Sequence, residues 1–126
     1  MTDRQDSDIS DDERGERLLQ IVTAALQDIK GVDISVIDVR GLTSITDRMV
    51  IVSGTSTRHL KALADNVVLK AKQHDFPVLG VEGEDMTGWI LVDLADVVVH
   101  VMMPETREFY ALEKLWSVGD RNNASA

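Results

Sequence analysis

The sequence contains no cysteine, so the chain forms no disulfide and offers no thiol chemistry. It also lacks any stretch that approaches the roughly 20 consecutive apolar residues of a membrane-spanning helix. The N terminus does not show the basic and then apolar pattern of a secretion signal. These three absences predict a cytoplasmic protein.

Basic residues are scarce: 13 Lys and Arg stand against 22 Asp and Glu, which gives a formal net charge of -9. A protein that binds nucleic acid directly needs clustered cations to neutralise phosphates, so this charge argues against that class. The GxGxxG and Walker fingerprints of nucleotide-binding proteins are absent as well. The acidity suits a basic protein partner or simple solubility, and charge alone does not separate the two.

What is present is an ordinary globular composition, with 44% apolar and 28% charged residues in a length of 126 that suits one domain. Hydrophobic periodicity predicts the element order αββαβββα. The predicted strands cover residues 34–39, 48–54, 77–83, 89–94 and 97–103. Because most links between strands are short, we predict an α/β fold of mixed α+β character, with one mixed five-stranded sheet and helices packed on it.

Local signals set the predicted limits of the domain. The segment SDDE at residues 10–13 has the form of a capping box, so a helix is expected to begin at Ser10. Ser56 is a suitable N-cap for the second helix. The domain is predicted to span 10–118, between a flexible acidic tail at 1–9 and a flexible C-terminal tail at 119–126.

The segment GWILVDLADVVVHVMMPE (88–105) places three ionisable groups among apolar residues. Strands 89–94 and 97–103 can pair around the Ala95-Asp96 turn, with Leu91 opposite His100 and Trp89 opposite Met102. Alternation then gives one wholly apolar face: Ile90, Val92, Leu94, Val97, Val99, Val101 and Met103. The opposite face is mixed: Trp89, Leu91, Asp93, Val98, His100 and Met102. That mixed face is either a binding surface or a second core face covered by helices.

Candidate catalytic groups are few. The turn SGTS at Ser53–Ser56, which leads from a strand into a helix, can hold an anion on free backbone N–H groups. Asp96 is a routine turn residue, and Asp93 is expected to hold the loop backbone. His100 has no second ligand at metal-binding spacing. These observations predict no metal site and no catalytic set, although an enzyme that uses the Ser53–Ser56 turn with Asp93 and Asp96 remains the alternative.

The last helix is predicted to start at Pro104, as helix starts prefer. Helical spacing places Phe109, Leu112, Leu115 and Trp116 on its inner side. Core packing is therefore the expectation for Phe109, Leu112 and Leu115.

Three segments together resemble the ribosomal silencing factor family, also called Iojap-like proteins. They are SITDRMVIVSGTSTRHLKALAD, GVEGED followed by GWILVDLADVVVHVM, and REFYALEKLW, in this order and spacing. The resemblance covers residues 14–117. It implies a fold similar to nucleotidyltransferases without their catalytic carboxylates, and no enzymatic activity or cofactor. It also implies binding to the large ribosomal subunit through universal large-subunit ribosomal protein fourteen, which sterically blocks joining of the small subunit and lowers translation when nutrients are scarce. Some members form homodimers when free.

The resemblance carries over to individual positions. The family tryptophan matches Trp89, and the REFY motif matches Arg107 to Tyr110. The residues expected to contact the partner are Trp89, Ile90, Leu91, Val92, Asp93, Met102, Glu82, Arg107 and Tyr110. Two departures stand out: Ala95 replaces a glycine that many members have before the turn aspartate, and Met103 replaces a histidine. If position 95 requires a positive φ, Ala95 is strained or the turn type differs.

The resulting hypothesis is a non-enzymatic translational silencing factor that acts by steric occlusion. Its partner belongs to a generally basic class of proteins, so the acidic charge favours encounter. The rival hypotheses are the nucleotide-binding or nucleotidyltransferase-like enzyme described above and a dimeric scaffold unrelated to ribosomes.

Overall fold

A five-stranded mixed sheet carries four helices in the computed structural model, which describes residues 2–83 and 88–116. The elements are α1 (Thr2–Asp28), β1 (Val32–Asp38), β2 (Arg48–Ser53), α2 (Thr57–Gln73), β3 (Gly80–Glu82), β4 (Trp89–Asp93), β5 (Val97–Met102), α3 (Pro104–Tyr110) and α4 (Leu112–Trp116). The predicted α/β class and mixed sheet are confirmed. The predicted last helix is divided in two, because Ala111 adopts a left-handed conformation with φ 50°.

The strands follow the spatial order β1-β2-β5-β4-β3. β2 and β5 run parallel, whereas the other three neighbouring pairs are antiparallel. The β4–β5 hairpin has the predicted register, with Trp89 opposite Met102 and Leu91 opposite His100. Because side chains alternate along a strand, this register fixes which of them share a face.

The apolar face of the hairpin packs under α1 and α2. Its predicted members Ile90, Val92, Leu94, Val97, Val99 and Val101 are all buried in the main core, and Met103 packs against it. The helices contribute leucines, valines and alanines at helical spacing, among them Leu18, Leu26 and Leu63. At the start of α2, Ser56 accepts a hydrogen bond from the His59 amide, so the predicted N-cap is confirmed.

The first helix begins earlier than the sequence predicted. α1 begins at Thr2 and continues past Ser10, so the helix start predicted at Ser10 is wrong. Residues 2–9 contain neither proline nor glycine, so nothing in that backbone opposes continuation of the helix. The domain limits remain a prediction, and residues 119–126 lie outside the described part of the chain.

The mixed face of the hairpin is divided between core and surface. On its β5 half, Met102 is buried in a second, smaller cluster with Val39, Met49 and Ile51. On its β4 half, Trp89 and Leu91 remain partly exposed. The core interpretation therefore holds for Met102 on β5, whereas the exposure of Trp89 and Leu91 on β4 leaves a binding surface there as a prediction.

The turn between β4 and β5 forces an alanine into a strained conformation. Ala95 has φ 73°, in the left-handed region that favours glycine. The Asp93 carboxylate accepts a hydrogen bond from the Ala95 amide at 2.9 Å, so Asp93 holds the loop backbone as predicted. The strain considered at the sequence level is thus present in the turn.

We expect Ala95→Gly to raise the free energy of unfolding by about 0.5–1 kcal/mol, because relief of the left-handed strain exceeds the entropy cost of glycine. Urea denaturation measures the change. The matched control is Ala24→Gly at an exposed position in α1, where the same chemical change costs about 1 kcal/mol. A destabilised Ala95→Gly variant would contradict the expectation.

Candidate partner-binding surface

The residues of the alternative enzyme site lie at opposite ends of the sheet. In the parallel β2–β5 pair, Arg48 is opposite Val97, and Ser53 is opposite Met102 five residues later. At the rise of an extended strand, five residues span about 16 Å. The Ser53–Ser56 turn and the turn that contains Asp96 are therefore too far apart to act on one small ligand.

The Ser53–Ser56 turn also uses its polar groups internally. The Thr55 amide donates to His59 Nδ1 at 2.9 Å, and the Ser56 hydroxyl is taken up by the N-cap bond. Since Nδ1 accepts, Nε2 carries the proton and donates to the Ile29 carbonyl at 2.7 Å. A Cβ at Gly54 would lie 2.7 Å from Leu60 Cδ2, so this glycine serves close packing.

Metal ligands do not converge in the part of the chain that the structure describes. Among residues 2–83 and 88–116, no group of three or more His, Asp or Glu side chains is placed to hold an ion. Asp96 is exposed in its turn, and its backbone carbonyl accepts from the amides of Asp47 and Arg48.

A row of aromatic rings leads from the mixed face to the surface. The ring of Trp89 lies 4.7 Å from that of Tyr110, which in turn packs edge-on against Phe109 at 5.0 Å. Phe109 is 79% exposed and Tyr110 is 51% exposed. We call Trp89, Leu91, Phe109 and Tyr110 the aromatic surface.

The exposure of Phe109 overturns one prediction about the last helix. Phe109 and Leu115 were expected in the core, yet Leu115 is also 62% exposed. Only Leu112 packs as predicted, against the smaller cluster; the side chain of Trp116 lies outside the described part. The left-handed residue at Ala111 breaks the helical spacing on which that prediction rested.

A cavity of about 330 Å³ opens beside the aromatic surface. Its lining residues are Glu82, Gly83, Trp89, Leu91, Thr106 and Tyr110. Among the described residues of this lining, Glu82 is the one charged side chain, and it is exposed. Within residues 2–83 and 88–116, the lining therefore combines apolar walls with a single negative charge, a composition typical of a binding pocket.

Beneath the aromatic surface lies His100, which is buried. Its Nδ1 accepts a hydrogen bond of 3.0 Å from the Trp89 indole nitrogen. Burial lowers the pKa of His100 to about 4, so the ring is neutral at pH 7. Its Nε2 has no hydrogen-bond partner among the described residues. A buried donor left without a partner costs about 1–3 kcal/mol.

Arg107 joins α3 and α4 to the sheet. Its Nε and Nη2 donate to the two carboxylate oxygens of Glu113 at 2.8 and 2.9 Å, and its Nη1 donates to the Ser53 hydroxyl at 2.9 Å. The hydrogen bond from Arg107 is the main cause of the lowered pKa of Glu113. The turn at Ala111 brings Glu113 back over Arg107, across a spacing of six residues that a continuous helix would not allow.

We expect Arg107→Ala to lower the free energy of opening of the 104–116 segment by about 2 kcal/mol, because Glu113 and Ser53 both lose the hydrogen bonds that the guanidinium donates to them. Native-state hydrogen exchange of the amides in this segment measures the loss. Lys61→Ala is the matched control: it removes an exposed pair with Asp65, which contributes at most about 0.5 kcal/mol. Equal effects of the two changes would contradict this role of Arg107.

Residues 12–126 match the family model described as ribosomal silencing factor during starvation. The chain belongs to the ribosomal silencing factor family. It is 45% identical over 100 residues to the ribosomal silencing factor RsfS of Haemophilus influenzae, covering 79% of this chain and 98% of the relative. It is 41% identical to a mouse protein named mitochondrial assembly of ribosomal large subunit protein 1, covering 79% of this chain and 45% of that protein. A crystal structure of a Chromobacterium violaceum protein, 43% identical, superposes with a TM-score of 0.79 over 81% of this chain and 85% of that one.

The partner-contact residues predicted for this silencing-factor chain are not all on the surface. Ile90 and Val92 are buried under the helices, and Met102 is fully buried in the smaller cluster. These three side chains support the surface from below. Trp89, Leu91 and Asp93 are partly exposed, whereas Glu82 and Tyr110 are exposed and Arg107 is held by Glu113.

Sequence reasoning missed Phe109 as a surface residue of this family member. It also missed the bond between Trp89 and His100. A signal for that bond was available, because the predicted register makes the two residues diagonal neighbours on one face, within reach of long side chains.

Among the described residues, no helix combines the length and the hydropathy that a membrane span requires.

Proposed function

We propose that this protein binds the large ribosomal subunit through universal large-subunit ribosomal protein fourteen and, by occupying that position, sterically blocks joining of the small subunit. Translation would then fall under nutrient limitation. Family membership supports the silencing role, and the aromatic surface supports its mechanism, which is binding rather than catalysis.

The observation that carries the proposal is the exposed stack of Phe109 and Tyr110 on Trp89. Tryptophan and tyrosine are enriched among residues that dominate binding energy, and exposed aromatic side chains are costly to leave in water without a partner. Leu91 extends the apolar area. Glu82 lies opposite Leu91 on the neighbouring strand β3, and Asp93 lies at the end of β4. The surface thus has an apolar centre with acidic neighbours.

Charge supports the encounter with a basic partner. The net charge of -9 and the acidic residue in the cavity favour approach of a positively charged protein surface. Association of this kind slows as salt is added, because ions screen long-range attraction.

We further propose where the protein acts and what it binds. The protein acts in the cytoplasm without a cofactor, does not bind a specific nucleic-acid sequence, and forms a homodimer when it is free of the ribosome. The separation of the Ser53–Ser56 turn from Asp96 supports a role without catalysis at those groups.

Co-sedimentation with purified large subunits, followed by a subunit-joining assay, tests the proposal. We expect the protein to pellet with large subunits, to remain in solution with small subunits, and to lower the fraction of joined ribosomes as its concentration rises. Large subunits depleted of ribosomal protein fourteen should not retain it. Absence of pelleting with intact large subunits, or pelleting without any loss of joining, would overturn the proposed mechanism.

A further inference from the structure

The Trp89 ring is held from two sides. Its indole Nε1 donates to His100 Nδ1 at 3.0 Å, and the two ring centroids are 5.8 Å apart. On another side, the Tyr110 ring contacts it at 4.7 Å with an interplanar angle of 50°. Of these two neighbours, Tyr110 is half exposed and His100 is buried. The buried neighbour therefore supplies the fixed reference point for the indole.

His100 is a poor choice for a purely structural core position. Because Nδ1 is the acceptor, the neutral imidazole carries its proton on Nε2, and that donor has no partner in residues 2–83 and 88–116. An apolar side chain of similar volume would have no polar atom of its own to leave unpaired. What the histidine provides, and leucine cannot, is an acceptor for the Trp89 indole.

An ordered indole matters for binding. A side chain that already has its bound orientation loses less conformational freedom when the partner arrives. Without an acceptor at position 100, the indole N–H favours orientations that reach water, so the observed orientation against Tyr110 loses its preference.

We propose that His100 is a positioning residue for docking: its Nδ1 fixes the Trp89 indole in the orientation that the ribosomal partner binds. This inference rests on the proposed function and deepens it. His100 itself is buried and does not contact the partner.

The test compares two substitutions at this position. His100→Leu removes the acceptor and the unpaired donor together, so we expect unfolding stability at pH 7 to be unchanged or higher and binding to large subunits to weaken about fivefold. His100→Asn places a carbonyl oxygen near the position of Nδ1, so binding should stay within about twofold of wild type even though stability falls. Equal affinity of His100→Leu and wild type would overturn the proposal.

A double-mutant cycle with Trp89→Phe, which keeps an aromatic ring but lacks the indole N–H, shows whether the effect passes through the hydrogen bond. In the Trp89→Phe background, His100→Leu should change affinity less than about twofold. A fivefold loss that persists there would assign the effect to another cause and overturn the proposal.

Nuclear magnetic resonance separates this inference from the proposed function. In a Trp116→Phe background, which leaves one indole N–H, exchange of that proton with solvent should be at least about tenfold faster in His100→Leu than in the parent. If wild type does not pellet with large subunits, the proposed function fails while this measurement still decides whether His100 positions Trp89. Equal exchange rates would overturn the positioning role.

Discussion

Trp89→Ala is expected to weaken binding to the large ribosomal subunit by about 2 kcal/mol or more, close to a thirtyfold increase in Kd. The indole is the central ring of the aromatic surface, in contact with Tyr110 on one side and hydrogen-bonded to His100 on another. Its loss removes the apolar anchor, leaves His100 without its donor and deprives Tyr110 of support. Titration of large subunits in the co-sedimentation assay gives the change in Kd.

The control for this substitution is Leu69→Ala, which shortens an exposed apolar side chain on α2. We expect it to bind within about twofold of wild type. Unfolding curves of both variants show whether Trp89→Ala remains folded at the assay temperature. If wild type pellets with large subunits and folded Trp89→Ala binds them equally tightly, the partner docks at another part of the protein.

Acid is expected to destabilise the folded protein by about 3 kcal/mol through His100 alone, between pH 6.5 and pH 4. The pKa of His100 is lowered from 6.5 to about 4 by burial, so in this range the unfolded chain takes up a proton that the folded chain does not. Stability therefore rises with pH across the window, and the contribution is constant above pH 6.5. Protonation also replaces the acceptor at Nδ1, so the bond to Trp89 is lost where the ring becomes charged.

Carboxylates titrate in the same range, so the measurement compares wild type with His100→Leu. The difference between their free energies of unfolding, taken from urea denaturation at pH 7 and pH 4, should change by about 3 kcal/mol in favour of the leucine variant. A constant difference across this window would show that His100 is accessible to protons in the folded state.

Periodicity was sufficient to predict the β4–β5 hairpin because only one register separates the apolar residues from the others. A shift by one residue would turn Ile90 and Val92 to the opposite face. The same pattern identified the stripe of α2, where the sequence signal and the N-cap at Ser56 agree. Where one face of a strand is buried, the alternation of apolar and polar residues is therefore enough to predict its register.

The surface was harder to predict, because it depends on the backbone conformation of Ala111, which sequence patterns do not report. Helical spacing predicts one helix through residues 104–116, yet Ala111 is left-handed and divides it, and Phe109 and Leu115 are exposed. Arg107 was expected to contact a partner, but that same turn brings Glu113 within reach of it. No i+3 or i+4 rule anticipates a pair six residues apart.

Because His100 Nε2 is unpaired among the described residues, selection for stability and selection for ribosome silencing should favour different residues at position 100. A library randomised at this position and screened for soluble, heat-resistant protein should fill with leucine and other aliphatic residues, since none of them buries an unmatched donor. The same library screened for ribosome silencing should return histidine, with asparagine next. The ratio of histidine to leucine, compared between the two screens, would measure the loss of stability that accompanies a fixed orientation of the Trp89 indole.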